Sequence, residues 1–78
     1  MYFVVQKKHN STTDVWDNNV HVKETKDDAL HQFHAFMSTY AYGQNPNLDY
    51  IAAEVQAEDG RSIKSEIDNR MPAVPEGE

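Results

Sequence analysis

Apolar and polar positions alternate at both ends of the chain and recur with a helical period between them. From Tyr2 to Lys8, Phe3 and Val5 fall on one side of an extended segment, and Tyr2, Val4 and Gln6 on the other. The polar stretch His9-Asn10-Ser11-Thr12-Thr13 reads as a turn. A second strand is plainest at Val20 to Glu24, where Val20 and Val22 alternate with His21 and Lys23. Trp16 belongs to an earlier part of that strand, with Asp17-Asn18-Asn19 as a bulge or bend.

The pattern then changes period. Leu30, Phe33, Met37 and Tyr40 recur at three- and four-residue spacing, and Ala29 and Phe36 widen the stripe, so a helix is predicted over residues 26–42. Thr25 is suited to cap its first turn, and Asp28 three residues on makes a capping box with Asp in the usual Glu place. Gly43 can end the helix and Pro46 bars its continuation.

The C-terminal half returns to alternation. Ile51, Ala53, Val55 and Ala57 share one face of a strand, and Ile63 and Ile67 share one face of the next. A three-residue Glu58-Asp59-Gly60 loop, with Gly60 in the left-handed position, pairs Val55 with Ile63 and Ile51 with Ile67. The expected fold is α+β: ββαββ, a four-stranded antiparallel sheet with one amphipathic helix packed on one face. The opposite face is expected to carry Tyr2, Val4, Gln6, Tyr50, Ala52, Glu54 and Gln56. Residues 1–70 read as one domain and residues 71–78, with two prolines and a glycine, as a flexible tail.

Size and charge narrow the classes. A chain of 78 residues buries only about 60 % of the surface its unfolded form exposes, so its core is thin. Small cores gain from partners, and self-association as a homodimer or higher oligomer is expected to be open to it. The net charge of −6 argues against direct nucleic-acid binding, which needs a basic patch. The acids are uneven: five against four bases in residues 1–47, eight against three in residues 48–78. With no cysteine, thiolate metal sites and disulfides are excluded. No apolar run is long enough for a membrane span or a secretion signal, so a cytoplasmic setting is expected.

Three constellations carry candidate chemistry. Asp27, His31 and His34 lie on one polar helical strip, a weak metal set because the Glu of an H-E-x-x-H site and its spacing are missing. Tyr42 and Tyr50 bracket an amide-rich loop and can serve as rigid anchors for a partner. The acidic group Glu54, Glu58, Asp59, Glu66 and Asp68 can present a negative surface that steers toward a basic partner. No catalytic residues and no cofactor are assigned. Enzymatic activity is not expected, for want of a converging titratable pair or a phosphate-binding glycine loop.

The run Tyr2-Phe3-Val4-Val5-Gln6, the helix opening Glu24-Thr25-Lys26-Asp27-Asp28-Ala29 with Phe33-His34, and the hairpin ending Ile63-Lys64-Ser65-Glu66 together resemble small uncharacterised proteins of phages and prophages of Gram-positive bacteria. The resemblance spans most of residues 2–68 and implies a setting rather than a chemistry. Accessory and anti-defence proteins, anti-CRISPR proteins among them, are the roles it implies, in the bacterial host cytoplasm. The resulting expectation is a non-enzymatic, acidic interaction module. Its partner is expected to be a host protein, such as a nucleic-acid-binding defence protein. Two alternatives stand beside it. One is an oligomeric protein that sequesters a nucleotide-like small molecule, with Tyr42, Arg61 or Arg70 at a subunit boundary. The other is a metal-dependent enzyme using Asp27, His31 and His34.

Overall fold

A computed structural model describes residues 1–41 and 43–71; Tyr42 and the 72–78 portion of the expected tail lie outside the described residues. The order is β1 (Tyr2–Asn10), β2 (Val15–Lys23), α1 (Lys26–Tyr40), β3 (Leu48–Ala57) and β4 (Ser62–Asn69). The strands form one sheet in the spatial order β2-β1-β3-β4, every neighbouring pair antiparallel. The expected ββαββ, α+β architecture is therefore the one observed. β2 and β3 both oppose β1 and so run parallel to each other, which requires the long crossover that α1 supplies.

The helix begins as its sequence requires. Thr25 is extended at φ −118°, ψ 154°, and its side chain accepts a hydrogen bond from the Asp28 amide at 3.1 Å. Asp27 and Asp28 occupy the first turn, where the helix dipole favours negative charge. The helix stops at Tyr40, short of the expected residue 42; the Ala41 amide donates to the Met37 carbonyl and Gly43 follows at φ +80°.

Ala29, Phe33, Phe36 and Met37 of α1 pack on Val4, Ile51, Ala53 and Val55 of the two central strands. This corrects the expected orientation of β1. Val4 and Gln6 lie buried under the helix, while Phe3 and Val5 project from the opposite, open face. β1 has apolar residues on both sides, so its own alternation cannot choose between them. Its pairing with β3 decides: Val4 lies beside Val55 and Gln6 beside Ala53, whereas Val5 lies beside Glu54. The continuous apolar row of β3 takes the core, and Val4 goes with it.

Two further corrections concern strand regularity. β2 runs unbroken from Val15 to Lys23 in register with β1, so Asp17-Asn18-Asn19 form no bulge. In the last hairpin the expected three-residue loop is present: the Ala57 amide donates to the Arg61 carbonyl at 2.9 Å and Gly60 has φ +87°. A register shift then falls between Val55 and Gln56, so that Gln56 lies opposite Ser62 but Val55 lies opposite Lys64. Ile63, the extra residue, packs against the core. Ile67 is sent to the open face beside Ala52. The expected pairs Val55–Ile63 and Ile51–Ile67 are replaced accordingly.

Candidate functional site

Side chains alternate along each strand, and the register makes partners across the sheet share a face. The open face therefore carries Val20 and Val22 on β2, Phe3, Val5 and Lys7 on β1, Ala52 and Glu54 on β3, and Ser65 and Ile67 on β4. Three of these are large apolar side chains standing well into solvent: Val20 at 61 %, Val22 at 55 % and Ile67 at 62 % exposure. Isolated exposed apolar residues are ordinary, but a contiguous set on one face marks a contact surface.

One end of this face is closed by a row of rings running across three strands. Trp16, His9 and Tyr50 are register partners on β2, β1 and β3. His9 and Trp16 have ring centroids 4.6 Å apart, Trp16 and Tyr50 5.3 Å, and the Lys7 ammonium sits 5.6 Å from the Trp16 ring. Trp16 remains 44 % exposed while His9 is only 5 % exposed.

His9, which the sequence reading places in a polar turn and leaves solvent-facing, stands instead in β1 and is buried. Its Nδ1 lies 2.5 Å from Asp49 Oδ1 and its Nε2 2.8 Å from Asp14 Oδ1, both within hydrogen-bond distance. Because ionised carboxylates only accept hydrogen bonds, a carboxylate on each nitrogen favours the doubly protonated ring. The Asp14 hydrogen bond, then that of Asp49, raises its pKa above the ordinary value; burial opposes this and loses. Asp14 itself stands at φ 56°, a left-handed conformation that Asp tolerates better than most residues. The Asn10–Asp14 turn is built to hold it. Asn10 Oδ1 accepts from the amides of Thr12 and Thr13, and the Asp14 amide donates to the Asn10 carbonyl. The Ser11 amide and hydroxyl both donate to the Asn47 carbonyl, at 2.8 and 3.0 Å, and the Thr12 hydroxyl donates to Asn47 Oδ1, so this turn is tied to the segment leading into β3.

The predicted acidic group is divided by the sheet. Glu54 lies on the open face, where Gln56 Nε2 donates to it at 2.5 Å. Glu66 and Asp68 follow the Ala53 and Ile51 positions onto the helix side. Glu58 and Asp59 are in the β3–β4 turn, Glu58 meeting the Met1 amine at 2.7 Å and Asp59 meeting Arg61. The Arg61 backbone amide is the chief reason the Asp59 carboxyl titrates below its usual range. Asp68 receives Arg70 Nε at 3.1 Å. Tyr50 belongs to the aromatic row on the open face, away from Glu66 and Asp68. Tyr42 lies outside the described residues.

His31 and His34 line a shallow depression together with Met37, Ser38 and Glu66, but Asp27 is not part of it. Among the described residues no three His, Asp or Glu side chains converge as a metal site would require. Arg61 and Arg70, the basic contacts weighed for small-molecule binding, stand at opposite ends of β4. Between α1 and β2 lies a groove of about 340 Å³ bordered by Gln6, Asn19, His21 and Gln32, and the buried Gln6 Nε2 has no protein partner there. No described helix is long and apolar enough to cross a membrane.

Comparisons with protein-family models, with curated proteins and with solved structures give no match.

Proposed function

We propose that this protein is a non-enzymatic interaction module that engages a basic surface on a partner protein through its helix side and its β3–β4 turn. The observation that carries the proposal is the pair of acidic clusters outside the strands, Asp27 and Asp28 in the first helical turn and Glu58 and Asp59 in the β3–β4 turn. In a chain of net charge −6, the strand positions of the open face hold one lysine, Lys7, and one carboxylate, Glu54. On the strands the helix side carries Asp17, Glu66 and Asp68 together with Lys8, Lys23 and Lys64, whereas Asp27 and Asp28 open the helix beside Lys26, and Glu58 and Asp59 share the adjoining turn with Arg61. A surface field so arranged raises encounter rates with a cationic partner. His9 argues against acid–base catalysis, since both its nitrogens are committed to carboxylates and shielded from solvent.

The resemblance to phage proteins makes a host protein that itself binds nucleic acid the first partner to test, with the acidic clusters standing in for a phosphate track. The test is affinity capture from a bacterial host lysate over a salt series, with captured proteins identified by mass spectrometry. A partner with a basic surface is expected, retained at low salt and released as ionic strength rises. Reversing Glu58, Asp59 and Glu66 together should abolish retention while Glu54→Lys alone leaves it. Equal retention by the triple reversal would sink the proposal.

A second reading, sequestration of a small polar molecule, draws on the unpartnered Gln6 amide in the groove between α1 and β2. Thermal-shift screening with nucleosides tests it, and a response lost in Gln6→Leu would favour it.

A further inference from the structure

We propose that the open face of the sheet is the seat of a second copy of this chain, two sheets stacking face to face across a two-fold axis. This goes beyond the proposed function, because it concerns the open face of the sheet and needs no external partner.

The first argument is charge. Two copies that each carry net charge −6 repel unless they meet where their carboxylates are not. The open face is that place. Its strand positions offer only Lys7 and Glu54, on neighbouring strands and two residues apart in register, since Lys7 pairs with Ala52. A two-fold axis between them sets Lys7 of one copy against Glu54 of the other and the reverse, so the face is complementary to itself. At the rim, Asp14 and Asp49 share the single ring of His9, which offsets part of their charge.

The second argument is area. Four strands at about 4.8 Å spacing and roughly nine residues at about 3.3 Å rise give a face near 19 × 30 Å, roughly 570 Å² per copy. Two such faces bury a little over 1,000 Å² in total, about the lower limit for a specific interface. At the centre of that area, on β1 and β3, Val5 and Ala52 stand beside Lys7 and Glu54, and Val20, Val22 and Ile67 flank them on the outer strands. Stacked sheets lie about 10 Å apart, a distance these side chains fill.

An interface at the lower limit is reversible, so half-association is expected in the range of about 1–100 µM. Sedimentation of the untagged full chain across that range should show the mass rising from 8.9 kDa toward twice that value. Val20→Glu with Ile67→Glu buries two unpaired carboxylates per copy and should weaken association by about 100-fold or more. Both positions are exposed in the single chain, so circular dichroism should report an unchanged fold. Lys7→Glu and Glu54→Lys should each weaken association, and the two together should restore it.

A wild-type chain that stays monomeric through the range overturns the inference. Association that ignores the Val20 and Ile67 substitutions overturns it too, by placing the contact elsewhere. Failure of the exchanged pair to restore association removes the self-complementarity on which the choice of a second copy rests. None of these outcomes touches salt-dependent partner capture, and a dimer that captures no partner would refute only the proposed function.

Discussion

Ile63 and Ile67 are equivalent in the sequence pattern, both apolar and on the same parity of β4, yet the register shift gives them opposite roles. Ile63 is half-buried against the cluster of Val4, Phe33 and Val55, whereas Ile67 stands 62 % exposed on the open face. Truncating each to alanine therefore separates the bulged hairpin from an unbroken one. Fully buried Ile→Ala changes cost about 2–5 kcal/mol; a half-buried site belongs at the low end, so Ile63→Ala is expected to cost about 2 kcal/mol. Surface truncation usually lies within about 0.5 kcal/mol, which is the expectation for Ile67→Ala in the single chain. A domain of this size has only about 3–5 kcal/mol to lose. At about 4–8 °C per kcal/mol, Ile63→Ala should lower Tm by about 8–16 °C and Ile67→Ala by a few degrees at most. Thermal unfolding followed by circular dichroism reads both, at a protein concentration low enough to keep the chain monomeric. Equal losses, or a larger loss at Ile67, would mean that Ile67 lies under α1 and that no bulge separates the two isoleucines.

Two other outcomes are expected. The raised pKa of His9 means that its contribution is fully present below about pH 6.5 and is lost as pH rises through the higher folded-state value. Tm should therefore fall from pH 6 toward pH 9 in the wild type and not in His9→Asn. An NMR titration that placed the His9 ring at or below the ordinary histidine value would contradict the carboxylate clamp. Thr25→Ala removes the side chain that accepts from the Asp28 amide, and should cost about 1 kcal/mol in urea denaturation. An unchanged midpoint would mean that the cap contributes nothing.

The helix was legible because its period, its cap and its stop agree with one another from Thr25 to Gly43. The order of elements was legible for the same reason, each segment showing one period. What alternation does not contain is which of two apolar faces turns inward. On β1 both Val4 and Val5 satisfy it, and the choice is made by the partner strand, through a contact far away in sequence. The bulge at Ile63 was hidden differently. An unbroken hairpin places both isoleucines in the core, and only the packing under α1 decides that one of them is surplus. His9 was missed because its two carboxylates come from a tight turn five residues on and from the start of β3, and neither spacing is a motif. The acidic residues were visible as charge, but their division between the two faces is a property of register. Glu54 and Glu66 come to lie on opposite sides of one sheet because the extra residue at Ile63 shifts the register; unbroken pairing would have put both on one face.

The sheet order has a consequence for how the chain is made. β1 is synthesised first yet ends in the middle, between β2 and β3. Once the β1–β2 hairpin has closed, β1 still presents one bare row of amides and carbonyls until Leu48–Ala57 has emerged. An isolated hairpin is marginal in water, so this stage is short of a stable fold and open to wrong strand partners. Lys7 and Lys8 on that bare strand keep it charged during the wait, and the Asp49 bond to His9 closes only when β3 arrives.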